Sequence, residues 1–450
     1  MNIHFIAIGG SAMHNLAIAL QINGHVISGS DDEIFEPSKS RLARKGLLPE
    51  NEGWFPEKLS VNIDAIILGM HARPDNPELV RAQEMGLKIY SYPEFLFLHA
   101  QHKKRVVIGG SHGKTTITAM IMHVLRKAGM KFDYLVGSKL RGFDVMVQLS
   151  DDAPVMIFEG DEYLSSPIDR RPKFHWYRPH IALLSGVAWD HINVFPTFEN
   201  YVQQFEIFIE LIEKEGTLIY SNDDDILKTL AEDSRSDVKK IGYDIPSYII
   251  KQGVTFVKQN SLIPIQVFGR HNLMNLNGAR KVCNELGIDD HSFFEAIKSF
   301  DGTDNRLELI MEREGSRVFK DFAHAPSKAI ATILAVREQY PDHQFVACYE
   351  LHTFSSLDQK FMGQYAGCFD NTDRACVYFN PHALRMKKLP DLKISDVKEL
   401  FAKKDLEVFN DSTKMATWLQ TTKKPKTIYL LMSSGNFDGI DLQLLAEDLI

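Results

Sequence analysis

Short apolar runs alternate with stretches of helical spacing along all 450 residues, and small residues mark many of the joins. Ile3 to Ile8 is the first run, and His25 to Asp31 supplies a second that ends in an acid. Ala65 to Met70, Arg105 to Ile108, Val155 to Phe158 and Ile181 to Leu184 follow. Their nearly unbroken apolar character is that of parallel strands covered on both faces. Asn15 to Gln21, Pro77 to Gln83 and the residues from Ile117 to Met122 read instead as helices. Lys214 to Asp225 predicts a strand, a turn and an acidic helix start. A turn at Phe300-Asp301-Gly302 precedes a strand at Ser316 to Phe319, and buried runs return at Phe345 to Tyr349, Ala375 to Phe379 and Thr427 to Leu431. This rhythm predicts an α/β fold of mostly parallel, doubly wound sheets in three domains, at 1–101, 102–300 and 301–450.

Composition narrows the class. A hydrophobic fraction of 44% and a charged fraction of 24% are ordinary for a globular chain. The net charge of −8 argues against nucleic acid or an acidic membrane as the main partner. Cys283, Cys348, Cys368 and Cys376 show no C-x-x-C spacing, which suits free thiols in a reducing compartment. The N-terminus lacks a cationic leader, and no apolar stretch is long enough to span a bilayer, so a cytoplasmic location is expected. Oligomeric state is not encoded in any pattern found.

The segment Gly109-Gly110-Ser111-His112-Gly113-Lys114-Thr115-Thr116 carries the strongest chemical signal. A glycine-rich turn between a buried strand and a helix N-terminus points backbone N–H groups at an anion. Lys114 can reach terminal phosphates, and the Thr115 hydroxyl can take a place on Mg²⁺. Ile108 stands where the first glycine of G-x-x-x-x-G-K-[ST] would be, and a glycine turn with a chance Lys-Thr is the competing reading. Gly9-Gly10-Ser11-Ala12-Met13 forms a similar turn after the first strand. It lacks the three glycines of a dinucleotide fingerprint, yet suits a pyrophosphate such as that of a UDP-sugar. Packing glycines remain the alternative there.

Ligands of open parallel sheets gather at the carboxyl ends of the strands. Glu159, Asp190 and His191 all follow such strands, which makes Thr115, Glu159 and His191 candidate metal ligands. Turn capping is the other role open to Asp190 and His191. Asn272 and Asn275 open a helix after Gly269-Arg270-His271, with N-capping by Asn272 as the alternative. Arg306 is placed to reach a γ-phosphate, and Asp321 to bind a ribose hydroxyl.

Taken together, these motifs resemble the ATP-dependent Mur ligases of cell-wall synthesis, in order and over essentially the whole chain. They run from Gly110-Ser111-His112-Gly113-Lys114-Thr115-Thr116 through Glu159-Gly160-Asp161-Glu162 and Asp190-His191 to Gly269 to Asn275, Arg306 and Asp321 to Pro326. The resemblance implies an N-terminal UDP-binding Rossmann-like domain, a central ATPase and a C-terminal Rossmann-like domain. It assigns Lys114, Glu159, His191 and Arg306 to catalysis. It assigns the phosphate loop, His271, Asn272, Asn275, Arg306 and Asp321 to ATP. Gly9, Gly10, Ser11, Met13, Ser30, Asp31 and His71 would bind the UDP-sugar, and ATP and Mg²⁺ would be required.

Ile3-His4-Phe5 and Ile8-Gly9-Gly10 look like the members that use UDP-N-acetylmuramate. Of these, the chain is more similar to the ligases that add the tripeptide L-alanyl-γ-D-glutamyl-meso-diaminopimelate in murein recycling. Asp161-Glu162-Tyr163 and Asp169 to Phe174 carry that likeness. The alanine-adding ligases bear arginines after the histidine at His352, where this chain has Thr353-Phe354-Ser355-Ser356. Arg170, Arg171, Lys173, His324 and His352 would then meet the peptide, with a solvated basic loop as the alternative for the first three. L-Alanine as the amine, or a non-catalytic UDP-sugar sensor on the same scaffold, are the other readings. Gly186 and Ala188 replace the Asn and Glu that often precede the Asp-His pair, and Leu164 replaces an Asp usual in the tripeptide ligases.

Overall fold

The computed structural model describes residues 1–189, 194–304 and 306–450. Two compact units emerge: one holds 1–245 with 274–297, the other 246–273 with 298–450.

In the first unit, Asn2–Ile6 pairs in parallel with Val26–Ser30 and with Ala65–Leu68, and Ile89–Ser91 completes a four-stranded parallel sheet. The helix Ser11–Ile22 starts directly after Gly10, earlier than the apolar spacing predicts. Its first turn follows the glycine turn directly and buries Met13 together with the polar His14 and Asn15, so an unbroken apolar spacing registers only from Leu16 onward.

A seven-stranded sheet occupies the rest of this unit. Lys104–Gly109 lies between Val155–Glu159 and Ile181–Leu184, all parallel. Thr217–Ser221 and Lys239–Tyr243 extend one side, and Phe132–Leu135 the other. The edge strand Val147–Gln148 is antiparallel. Phe174 anchors the core: its ring stacks on Phe208 at 4.5 Å, while Phe158 stacks on Tyr177 at 4.0 Å. Because Lys104–Gly109 is central, the loop after it opens at the carboxyl end of the sheet, where the strands on both flanks also end.

The second unit contains a six-stranded sheet. Ser316–Asp321, Thr427–Met432, Gln344–Leu351, Arg374–Phe379 and Glu407–Phe409 run parallel, and Glu308–Arg313 is an antiparallel edge. Tyr248–Lys251, Val254–Lys258 and Leu262–Ile265 form a separate antiparallel sheet of three strands. Periodicity did not reveal these strands, because each is only four or five residues long and most of their positions are exposed or half-buried. All four cysteines are buried free thiols. Among the described residues, no helix is long and apolar enough to cross a membrane.

Candidate active site

Gly113 is the pivot of the phosphate loop. It has φ of 79°, a conformation costly for residues with a Cβ. An added Cβ would also clash with Asn275 Oδ1. The helix Lys114–Lys127 begins at once, earlier than its apolar residues suggest. Ser111 N donates to the Gly186 carbonyl at 2.9 Å, and Ala188 N donates to Ser111 Oγ at 2.7 Å. Those bonds tie the loop to the segment after the neighbouring strand. Gly110, His112 and Thr116 complete the same turn and helix start.

Lys114 Nζ donates to both oxygens of Glu162, at 2.8 and 2.9 Å, and to the Gly110 carbonyl at 2.6 Å. Burial depresses the ammonium pKa, but the Glu162 charge and hydrogen bonds outweigh that and hold it above its ordinary value. Glu162 is itself buried, with the Tyr201 hydroxyl 3.3 Å away. Thr115 Oγ1 donates to Glu159 Oε1 at 2.7 Å, and Gly137 N to Glu159 Oε2 at 2.9 Å. Burial pushes the Glu159 carboxyl pKa up despite these bonds. A half-buried strand-end carboxylate touching a hydroxyl is a donor set that fits Mg²⁺, which takes oxygen ligands and retains waters and substrate phosphates. Among the described residues no group of three His, Cys, Asp or Glu side chains is gathered to hold a metal alone. The predicted Asp190 and third ligand His191 lie outside the described residues.

These side chains border a cleft of about 330 Å³. Its lining includes Lys114, Glu159, Asp161, Lys173 and Gly137 from the larger sheet, and Gly10, Ser11, Met13 and His71 from the smaller one. Lys173 Nζ donates to Asp161 at 2.6 Å. Burial works against the Asp161 charge, yet Lys173 keeps this carboxyl below its usual range. At the first turn, Gly9 N donates to Asp31 Oδ2 at 2.7 Å. Burial raises the Asp31 pKa to about 6. Ser30 ends the adjoining strand and is buried.

The second unit holds its own cluster. His271 is half-buried and its pKa falls to about 4, first through desolvation and then through Arg306. Arg306 lies 5.1 Å over the Phe322 ring. Asp321 accepts from Leu307 N and Ala323 N, each at 2.8 Å, and burial raises its pKa. Asn272 is inside the helix Arg270–Glu285 and donates to the Phe268 carbonyl at 3.0 Å, so its side chain does not act as an accepting N-cap. His324 Nδ1 is 2.9 Å from the Phe322 carbonyl, and His352 Nδ1 is 3.8 Å from the buried Glu350.

The basic segment expected to meet one peptide is divided. Lys173 faces the 330 Å³ cleft, whereas Arg170 and Arg171 line a different one. A turn causes this: Ser165 N bonds the Arg171 carbonyl at 2.9 Å and Lys173 N the Tyr163 carbonyl at 2.8 Å, folding the segment back on itself. Glu162, Asp161 and Gly137 were not singled out as site residues from sequence. The acidic cluster after Phe158 was the available signal for the first two, and Gly137 had none.

A lysine and a threonine at a helix N-terminus, set against the carboxylates of Glu162 and Glu159, define an enzyme domain built for nucleoside triphosphates. Residues 2–104 match the Mur ligase family catalytic domain and 108–283 the Mur ligase middle domain. A UDP-N-acetylmuramate--L-alanine ligase of Clostridium botulinum (strain Okra / Type B1) is 30% identical over 387 residues, covering 83% of this chain and 81% of the relative. A solved UDP-N-acetylmuramate-alanine ligase from Thermotoga maritima aligns over 98% of this chain and 97% of its own, with TM-score 0.71 and 20% identity. A solved UDP-N-acetylmuramate:L-alanyl-gamma-D-glutamyl-meso-diaminopimelate ligase from Neisseria meningitides aligns over 66% of this chain and 98% of its own, with TM-score 0.60 and 25% identity. The chain belongs to the Mur ligase family. It is an ATP-dependent, amide-forming ligase of peptidoglycan synthesis.

Proposed function

We propose that the chain joins the lactyl carboxylate of UDP-N-acetylmuramate to an amine. The observation that carries this reading is the shared cleft, which one helix-start turn and the phosphate-loop lysine both reach. The turn Gly9 to Met13, with Ser30, Asp31 and His71 beside it, would seat the UDP-sugar. The carboxylate would attack the γ-phosphate of ATP, giving an acyl phosphate and ADP. The amine nitrogen would then attack the acyl carbon, and collapse of the tetrahedral intermediate would expel phosphate and leave an amide. Lys114 would exchange Glu162 for phosphate oxygens and offset their charge. Thr115 and Glu159 would hold Mg²⁺, which supplies further positive charge when bound. His271, Asn272, Asn275, Arg306 and Asp321 are proposed for ATP, with Arg306 toward the phosphates.

For the amine, the sequence relatives favour L-alanine, since that is the substrate in the name of the Clostridium enzyme. A second reading, the tripeptide L-alanyl-γ-D-glutamyl-meso-diaminopimelate, is supported by the Neisseria likeness and by the absence of arginine at 353–356. His324, His352 and Lys173 would meet the peptide in that case. ADP release with UDP-N-acetylmuramate plus either amine separates the two. Turnover with L-alanine alone supports the first reading, and turnover with the tripeptide alone supports the second. No turnover with either, despite ATP binding, would leave a nucleotide sensor.

A further inference from the structure

A second cleft, of about 580 Å³, shares no lining residue with the first. Phe97, Ile168, Ile207 and Leu211 give it an apolar lining, and the Trp176 indole adds an aromatic wall. Its volume lies within the range of small-molecule sites. Arg178 precedes the strand Ile181–Leu184, at the end of that sheet opposite Lys114.

Three guanidinium groups border this apolar surface, and among the described residues Arg171 alone is paired with a carboxylate. Arg171 grips Asp169 through Nε at 2.9 Å and Nη2 at 3.1 Å, and lies 4.0 Å over the Trp176 ring. Trp176 Nε1 donates to the same carboxylate at 2.8 Å, so Asp169 fixes that wall. Among the described residues, no hydrogen bond or ion pair engages the Arg170 or Arg178 guanidinium, and that of Arg178 lies 5.9 Å over the Phe97 ring. The Arg178 backbone has φ of 38°, in the left-handed region, and its carbonyl accepts from Arg105 Nε at 3.0 Å. The turn that presents Arg178 is therefore held in place rather than left to solvent.

Guanidinium forks bind phosphate oxygens in pairs, and they do so best beside surface that excludes water. We propose that this cleft binds an organic phosphate with an apolar or aromatic body, separately from the reaction cleft. The phosphate meets Arg170 and Arg178, and the body covers Ile168, Ile207 and Leu211. The loop that supplies Ile168 to Pro172 continues directly into Lys173, whose ammonium holds Asp161 in the reaction cleft. One short loop thus joins the two clefts.

The test uses the full chain and tryptophan fluorescence, with Trp176→Phe as the blank. Phenyl phosphate, hexyl phosphate and inorganic phosphate are titrated in turn. Saturable quenching by at least one ester is expected, with binding at least tenfold tighter than for inorganic phosphate. The tighter ester tells whether the body is aromatic, as in a nucleotide, or aliphatic, as in a lipid phosphate. Arg178→Glu should weaken ester binding at least tenfold, and Arg178→Lys should recover part of it. Unchanged affinity in Arg178→Glu, absence of saturable quenching, or displacement of the ester by UDP-N-acetylmuramate or ATP would overturn the proposal.

Discussion

The turn from Gly9 to Met13 and the turn from Gly110 to Thr115 both lead from a buried parallel strand into a helix N-terminus, yet they offer different groups. The first helix has Gly10 at its N-cap with φ of −57°, and no acid in its first turn. The charge that touches its entry is the Asp31 carboxylate on Gly9 N–H. The second has left-handed Gly113, a lysine paired with Glu162 and a threonine paired with Glu159. Bare N–H groups and a helix dipole are enough to hold an anion that is only carried. Moving a phosphoryl group needs a cation and oxygen ligands as well, because negative charge must be met where it develops. The contrast supports the proposed division of roles, with reaction at one turn and seating at the other.

Substitutions can break that contrast, and the largest effect belongs to the lysine. Lys114→Ala should lower the rate of ADP release by on the order of 10²–10³-fold or more, with UDP-N-acetylmuramate affinity retained. Retained activity in a coupled ADP assay would contradict the assignment of Lys114. Glu159→Gln should lose most activity and raise the Mg²⁺ concentration needed for half-maximal rate, read by metal titration. Gly113→Ala should lower unfolding stability by about 1–3 kcal/mol from the left-handed backbone, with the Asn275 contact adding to the loss. Denaturant melts measure this, and Gly10→Ala, at negative φ, should cost less.

The smallest effect concerns Asp31. Its native pKa of about 6 exceeds the ordinary 3.8, so the folded chain binds more protons than the unfolded one between those values. Stability contributed by this group is then greatest below pH 4 and is lost as pH rises toward 6. Asp31→Asn should flatten that part of a melting-temperature profile, and it should raise the KM for the UDP-sugar more than the KM for ATP. A profile identical to the parent would show that Asp31 does not titrate there.

Apolar runs such as Val155–Glu159 and Ile181–Leu184 announced themselves because strands buried on both faces leave no polar alternation. The strand Val254–Lys258 did not, since its outer positions are exposed and its run is short. In the site, Lys114, Thr115 and Glu159 were legible because turn, cation and strand-end acid each have a local signature. Asn275 was marked as a helix carboxamide and, through the resemblance, as an ATP residue. Its contact against Gly113 spans a separation in the chain that no local pattern reports.

Local pattern therefore foretold the parallel α/β architecture that the structure shows, and it marked the two glycine turns and the residues proposed to handle phosphate. Periodicity and turn chemistry act over a few residues, and those features are equally short-ranged. Tertiary structure alone decided that Lys114 rests on Glu162, that the glycine turn and the lysine reach one cleft, and that Lys173 parts company with Arg170 and Arg171. Such pairings depend on which surfaces pack together and on where a loop doubles back.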